Sequence, residues 1–174
     1  SLVVQAQRII CRIPLIDQVY SRLGEEADAL GLPAFSLRVL PRDARAVFSS
    51  RSDDPARQEV RNLYTAAAHE QIVEARGLAL TRSAIEENRT LCEDNPEVAR
   101  ADAEQLWRRV RERYYRDYID DWDGFIRDVA LVQPNTLNQA VDVLDELAGR
   151  NSPLIELSER ITTETTLTEL SPDA

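Results

Sequence analysis

The residue types that most often do chemistry are sparse in this chain. Its one histidine, His69, sits beside Glu70 in the stretch TAAAHEQ. Proton transfer is the chemistry it could support, but a general base needs a nucleophile within hydrogen-bond reach. No Ser–His–Asp pattern accompanies it, so an ordinary helix histidine is the plainer reading. A lone His without matching Cys or His cannot make a structural zinc site. Asp120, Asp121 and Asp123 lie close together and raise an acid pair or a cation site. On a helix their side chains splay in different directions. The alternating oxygen ligands, Gly and closing Glu of an EF-hand loop are missing, so a solvated acidic face is expected. GLPAF and GRNSP are glycine-containing turns with no GxGxxG or GxxxxGK[ST] around them. Cys11 and Cys92 fit no zinc spacing and no CxxC motif. Their apolar helical surroundings favour two buried free thiols, with a disulfide open to them in an oxidising compartment. The expected catalytic, cofactor and metal residues are none, and no enzyme activity is predicted.

The densest stretch is LWRRVRERYYRDYIDDWDGFIRDVAL, which holds both tryptophans and three of the five tyrosines among many Arg and Asp residues. On a helix, Trp107, Val110, Tyr114, Tyr118, Trp122, Phe125 and Val129 recur by threes and fours and form one face, with Ile119 and Ile126 widening it. The charged residues fall mostly elsewhere, with i,i+4 pairs available at Glu112–Arg116 and Asp123–Arg127. Aromatic side chains also stack on nucleic-acid bases, but that use wants net positive charge beside them. The formal charge here is -10, and the arginine run is followed at once by Asp117, Asp120, Asp121 and Asp123. A helical core is therefore expected and a nucleic-acid partner is not. Every basic residue except His69 is Arg, which reads either as bidentate Arg–carboxylate pairing or as a GC-rich coding sequence.

The elements that must position these residues follow from periodicity. The 174 residues suit one domain or two small subdomains. Few glycines and runs of Ala, Leu, Arg and Glu favour helix. Residues 1–33 read as N-terminal helices. The first covers 2–12; the second carries Leu15, Val19, Leu23, Ala27 and Leu30 inward and stops at Gly31 with Pro33. Residues 34–64 read as a short extended and loop segment. FSLRVL and EVRNLYT are strand candidates able to pair across a polar loop, with one helical turn in PRDARAVF. Residues 65–165 form a helical body. Thr65 caps a helix to about Ala75, Gly77 interrupts, and a further helix runs to Cys92. Pro96 opens the longest helix, to about Val132, with a reach of roughly 50 Å or more. Thr136 or Asn135 caps a helix with Leu137, Val141, Leu144 and Leu147 inward. Ser152 and Pro153 start a last helix with Leu154, Leu157 and Ile161 on one face. Residues 166–174 are a tail or a linker to a following domain. The predicted fold is mainly α, a helical bundle built on one long aromatic-rich helix, with a small two-stranded β element near residues 35–64. No run is long enough to span a bilayer and no signal peptide is present. The start inside a helical pattern and the absence of Met predict an excised piece of a longer protein.

Taken in order, NLYTAAAHEQIVE, SAIEENRTL, RERYYRDYIDDWDGFIRDVAL and TLNQAVDVLDELAGRNSPLIELSERITTET resemble the periplasmic region of the IcmF/TssM family. Tyr64, Thr65, Tyr114, Tyr118, Ile119, Trp122, Ser152, Pro153, Leu154, Glu164 and Thr165 carry the resemblance, from about Val60 to Thr165. The family often has a Trp and a glycine turn where this chain reads NRTLCED. With Arg89 at the Trp position, local packing of that helix on the long one is expected to differ. The resemblance implies a non-enzymatic, periplasmic part of an inner-membrane-anchored component of type VI secretion systems. Its implied partners are other TssM copies, a TssL-like inner-membrane protein, and a TssJ-like outer-membrane lipoprotein reached through a following β-rich domain outside this chain. The resemblance and the aromatic face together mark Tyr64, Thr65, Trp107, Tyr114, Tyr118, Trp122, Phe125, Ser152 and Pro153 as motif and core residues. A scaffold or pillar is the function this predicts. A helical regulatory module that binds partners through an exposed apolar patch, with Leu167 and Leu170 as its hint, is one alternative. An enzyme using His69 in a cleft beside a perturbed carboxylate is the other.

Overall fold

The computed structural model describes residues 11–92 and 95–167. The helix expected over 2–12 lies almost wholly outside them, as does Leu170. In chain order the elements are α1 (Leu15–Ala29), β1 (Phe35–Ser36), α2 (Arg42–Arg45), β2 (Phe48–Ser50) and β3 (Glu59–Val60). Then come α3, made of Ala66–Ala68, a π-helical stretch His69–Glu74 and Ala75–Leu91, and α4 (Pro96–Ala99). They are followed by α5 (Ala103–Asp128), β4 (Val129–Leu131), α6 (Leu137–Ala148) and α7 (Pro153–Thr165). The fold is mainly α with two small antiparallel ladders. The chain forms two compact units, Ser1–Leu32 with Ala68–Tyr118, and Pro33–Ala67 with Ile119–Ala174.

In the first unit α1 packs against α3. Leu15, Val19, Leu23 and Ala27 are buried at the predicted spacing, whereas Leu30, past the end of the helix, is exposed. Gly31 has φ +64°, Gly31 N–H reaches Asp28 O, and Leu32 N–H reaches Ala27 O at 3.2 Å. That is the left-handed C-terminal lock only glycine adopts at little cost, and it ends α1 where the sequence placed the stop. Gln18 and Asn88 exchange amide hydrogen bonds, Arg22 forks onto Glu87, and Arg76 pairs with Glu26. These partners run in opposite senses, so α1 and α3 are antiparallel. The chain before α1 therefore arrives at the end of α3, and Cys11 is bonded to Cys92 with Cα atoms 5.7 Å apart. The free-thiol expectation is thus overturned; a separation of 81 residues hides a proximity that only the antiparallel pairing creates. Arg89 pairs with Glu86 at the surface of α3.

Gly77 does not interrupt α3. It lies inside the helix, and an added Cβ would fall 2.0 Å from Trp107 Cη2 of α5. The missing side chain is the seat of the indole, and Trp107 is half-buried there. Thr81 is buried and donates its hydroxyl to Gly77 O at 2.8 Å, so the turn under the ring keeps its polar groups paired.

The long helix is also shorter than predicted. Pro96–Ala99 is a separate turn capped by Asn95, whose side chain accepts from Glu97 N–H at 2.9 Å. The 26 residues of α5 span roughly 39 Å at 1.5 Å each. Beyond Asp128 the chain turns extended, and Val129–Leu131 pairs with Phe48–Ser50. This ladder was unforeseen because β2 opens a polar stretch, SSRSDD, that composition reads as loop. The other ladder was foreseen: Phe35 stands opposite Val60, although each strand gives way within two residues to a 3-10 turn.

In the second unit Phe35, Trp122 and Phe125 form a ring cluster with centroids 4.9, 5.5 and 6.2 Å apart. Ile119 and Ile126 are exposed, Ile119 at 62%. At 100° per residue they lie about 80–100° from the line of Tyr118, outside the buried arc they were expected to widen. On α6 Thr136 accepts from Gln139 N–H at 3.2 Å and Gln139 reaches back to Asn135 N–H at 2.9 Å, a reciprocal cap. Its apolar stripe does not face inward: Leu137 is 80% and Leu144 63% exposed, Val141 is exposed, and no α6 residue is buried. The stripe is correct in period, but no described element covers it.

The Gly77–Trp107 seat makes a prediction opposite to helix propensity. Gly77→Ala, which in an open helix would gain about 1 kcal/mol, should destabilise this chain by about 1–3 kcal/mol by overpacking. In a Trp107→Ala background the same change should become stabilising, as read by denaturant unfolding of the four variants.

Candidate functional site

The residues marked in the sequence sort into two clusters, one in each unit. In the second unit Tyr64 and Trp122 are almost fully buried, and Trp122 Nε1–H donates to the Tyr64 carbonyl at 2.9 Å. A buried indole needs such an acceptor. Arg61 lies over the Tyr64 ring, 4.6 Å from its centroid, and donates to the phenol at 3.0 Å. Its backbone N–H and Nε–H meet the Asp121 carboxylate at 2.9 and 3.3 Å. Thr65 is buried directly before α3 and its hydroxyl donates to Asn62 O at 2.9 Å. Glu164 accepts from Ala66 N–H at 2.8 Å, so a carboxylate from α7 sits at the start of α3, where the helix dipole favours it. Ser152 precedes Pro153 at the head of α7, and both are buried. The Ser152 hydroxyl makes no cap bond, contrary to the cap expected of it; Glu156 N–H bonds the Ser152 carbonyl instead, at 3.1 Å.

At the end of α5 stands a residue that sequence reasoning missed. Asp128, one of the charged residues of the long-helix stretch expected off its aromatic face, is only 5% exposed. One carboxylate oxygen accepts from Ser52 N–H at 2.9 Å and Ser52 Oγ at 2.6 Å, and the other accepts from Ser50 Oγ. These donors, the Ser50 hydroxyl foremost, hold the carboxyl below its ordinary 3.8. The only signal in sequence was the serine-rich SSRS facing an aspartate 76 residues away. Beside this anchor lies a cavity of about 440 Å³ with Phe48, Phe125 and Leu37 among its apolar walls and Arg38 and Ser49 among its polar ones.

In the first unit Tyr114 and Tyr118 are buried on α5, with centroids 6.1 Å apart. His69 is not on a solvated helix face. It is 5% exposed, at the head of the π-helical stretch, with the Tyr114 and Tyr115 rings 6.1 and 5.9 Å away. Its Nε2 lies 3.0 Å from the Tyr115 hydroxyl and 3.5 Å from Glu74 Oε1. Arg111 donates to the same hydroxyl at 3.3 Å and lies 3.4 Å from Glu74. With Arg111 donating to it, the Tyr115 oxygen is an acceptor and its proton points to a neutral His69. Burial is the main cause that pushes the imidazole below its ordinary 6.5; Glu74 opposes that and Arg111 adds to it.

Chemically, both clusters hold backbone and rings in place. Within the arginine run Arg111 meets Glu74 and Arg113 pairs with Asp17 and Asp117; further on, Arg127 pairs with Asp123 at 3.0 Å. Arg116 lies 3.8 Å from Asp117 rather than bridging to Glu112. Asp120, Asp121 and Asp123 do not converge, and among the described residues no group of three or more His, Cys, Asp or Glu could hold a metal ion. No described helix is long and apolar enough to cross a membrane.

The chain is a mainly helical body built around a long aromatic-rich helix. Residues 1–166 match the family described as IcmF-related, intracellular multiplication and human macrophage-killing, and the chain belongs to that family. It is 29% identical over 168 residues to the type VI secretion system component TssM1 of Pseudomonas aeruginosa. That match covers 96% of this chain and 15% of the relative, so the chain spans about 15% of the length of the relative it matches. No solved structure matches it.

Because the His69 pKa is lower folded than unfolded, the unfolded chain takes up the proton first. The contribution of the neutral imidazole is complete above about pH 6.5 and is lost as pH falls below that value toward the folded pKa. The unfolding free energy from denaturant titrations should fall between about pH 7 and pH 5, by at most about 1.4 kcal/mol per pH unit from this group. His69→Gln should flatten that part of the profile.

Proposed function

We infer that this chain is a structural segment of the periplasmic part of a TssM-like, inner-membrane-anchored component of a type VI secretion system. It serves there as a scaffold or pillar element between the inner and outer membranes. Family membership supports the system. The observation that carries the compartment is the disulfide between Cys11 and Cys92. Such bonds form and persist in the bacterial periplasm and are rare in a reducing cytosol. The mechanical role follows from how the polar groups are used. Buried Asp128, His69, Asn88 and Thr81 all have partners, and the charged side chains of α1, α3 and α5 are tied to one another across helices. Such a body resists deformation and has little to offer as a reaction centre. The catalytic alternative needs His69 open to a substrate, and its burial speaks against that. The partners in this reading are other copies of the protein, a TssL-like inner-membrane protein and a TssJ-like lipoprotein reached through a following domain.

One observation favours the second reading, a helical partner-binding module. Leu137, Val141 and Leu144 form the exposed apolar patch that reading requires.

Two experiments test the pillar. Alkaline phosphatase inserted after Gly149 of the full-length protein should be active, and Cys11 and Cys92 should resist maleimide in intact cells until a reductant is added. An inactive reporter with freely labelled thiols would place the segment in the cytoplasm. Arg109→Glu with Arg116→Glu, both at exposed positions, should weaken assembly of the membrane complex on native gels without moving the melting temperature. Unchanged assembly would remove these arginines from the contact between copies.

A further inference from the structure

The β2–β4 ladder has an unused side. Arg51 N–H bonds Asp128 O at 2.8 Å and Val132 N–H bonds Val47 O at 2.9 Å. In the register Phe48↔Leu131, Ser49↔Ala130, Ser50↔Val129, alternation gives residues 47, 49 and 51 to the β4 side. The N–H and C=O groups of Phe48 and Ser50 therefore point to the opposite edge. Among the described residues β2 has β4 as its one strand neighbour. Phe48 and Ser50 also line the 440 Å³ cavity, whose other walls include Leu37, Arg38 and Phe125. That volume suits one large side chain or a small ligand. The Asp128 carboxylate beside it is engaged by Ser50 and Ser52, which fixes the β2 edge in place. Arg38 is exposed on the wall and forms no ion pair with another described residue, in a chain where acids outnumber bases 31 to 21. Glu59 shares the rim, so a fitting occupant brings a single carboxylate to Arg38 and not a run of acids.

We propose that the free edge of β2 and the adjoining cavity bind an extended peptide segment of a partner protein, which adds a strand beside Phe48–Ser50, inserts an apolar side chain against Phe48 and Phe125, and sets one carboxylate on Arg38. Main-chain hydrogen bonds supply affinity in such strand addition, and the side-chain pocket supplies selectivity. The partner is recognised by this pattern, one bulky apolar residue and one acidic residue on an extended backbone. The site stands whether or not the chain is a pillar.

The full 174-residue chain is panned against displayed random peptides of about twelve residues. The selected peptides should converge on an apolar-plus-acidic pattern. In hydrogen exchange, the Phe48 and Ser50 amides should slow on binding the best of them. Arg38→Glu, a change at an exposed position, should weaken that peptide by about tenfold with an unchanged melting curve. N-methylating alternate backbone amides of the peptide should abolish binding in one phase and spare it in the other. Peptides that fail to converge, or that bind with Phe48 and Ser50 exchange unaltered or with equal affinity for Arg38→Glu, overturn the proposal. A failed topology reporter leaves these readouts untouched, so the two readings fail separately.

Discussion

Aromatic rings on one helix face can be buried only where each polar tip finds a partner and each large ring finds room, and α5 imposes that demand along its whole length. Trp122 needs an acceptor and takes the Tyr64 carbonyl. Trp107 needs space and takes the place of a side chain at Gly77. Beside that face, the half-buried Tyr115 needs an acceptor for its proton and takes His69. Each solution draws in a residue far away in sequence and fixes its identity: a 3-10 turn that presents a bare carbonyl, a glycine in mid-helix, a buried imidazole. The spine therefore dictates its surroundings more than its own helical propensity does.

That dependence explains what could be read in advance and what could not. The stripe Leu15, Val19, Leu23, Ala27 was legible because periodicity is local, and its stop was legible because Gly31 needs a positive φ. The aromatic face was legible for the same reason. Gly77 was misread because helix propensity counts only the cost of a glycine, and the compensating indole lies thirty residues on. The β2–β4 ladder escaped because strands of three residues leave too little alternation to detect, and one of them hides among serines. The cysteine pair and the Asp128 anchor escaped because both are products of tertiary proximity between unremarkable local sequences.

The placement of polarity is inverted at two points, and the inversion has a physical consequence. Aspartate and histidine are buried where a simple pattern would put leucine, while Leu137 and Leu144 face solvent where a simple pattern would bury them. Buried polar groups with partners cost little and fix geometry, since a slip of one residue would strand them without partners. A solvent-facing apolar stripe on a well-capped helix costs free energy until something covers it. The first kind of residue makes a body stiff; the second makes it adhesive.

The chain carries both properties. A rigid element that contacted nothing would transmit no force, and an adhesive one without internal locks would deform under load. In this chain the locks lie in cross-helix ion pairs, the Cys11–Cys92 bond and the serine grip on Asp128. The surfaces left without a described neighbour are the open edge of β2 and the bare face of α6. On α6 the two are separate, since no α6 residue is buried; on β2 they meet, since Ser50 both grips Asp128 and lies on the open edge. The aromatic spine sets stiffness, and the bare face of α6 leaves specificity free to vary.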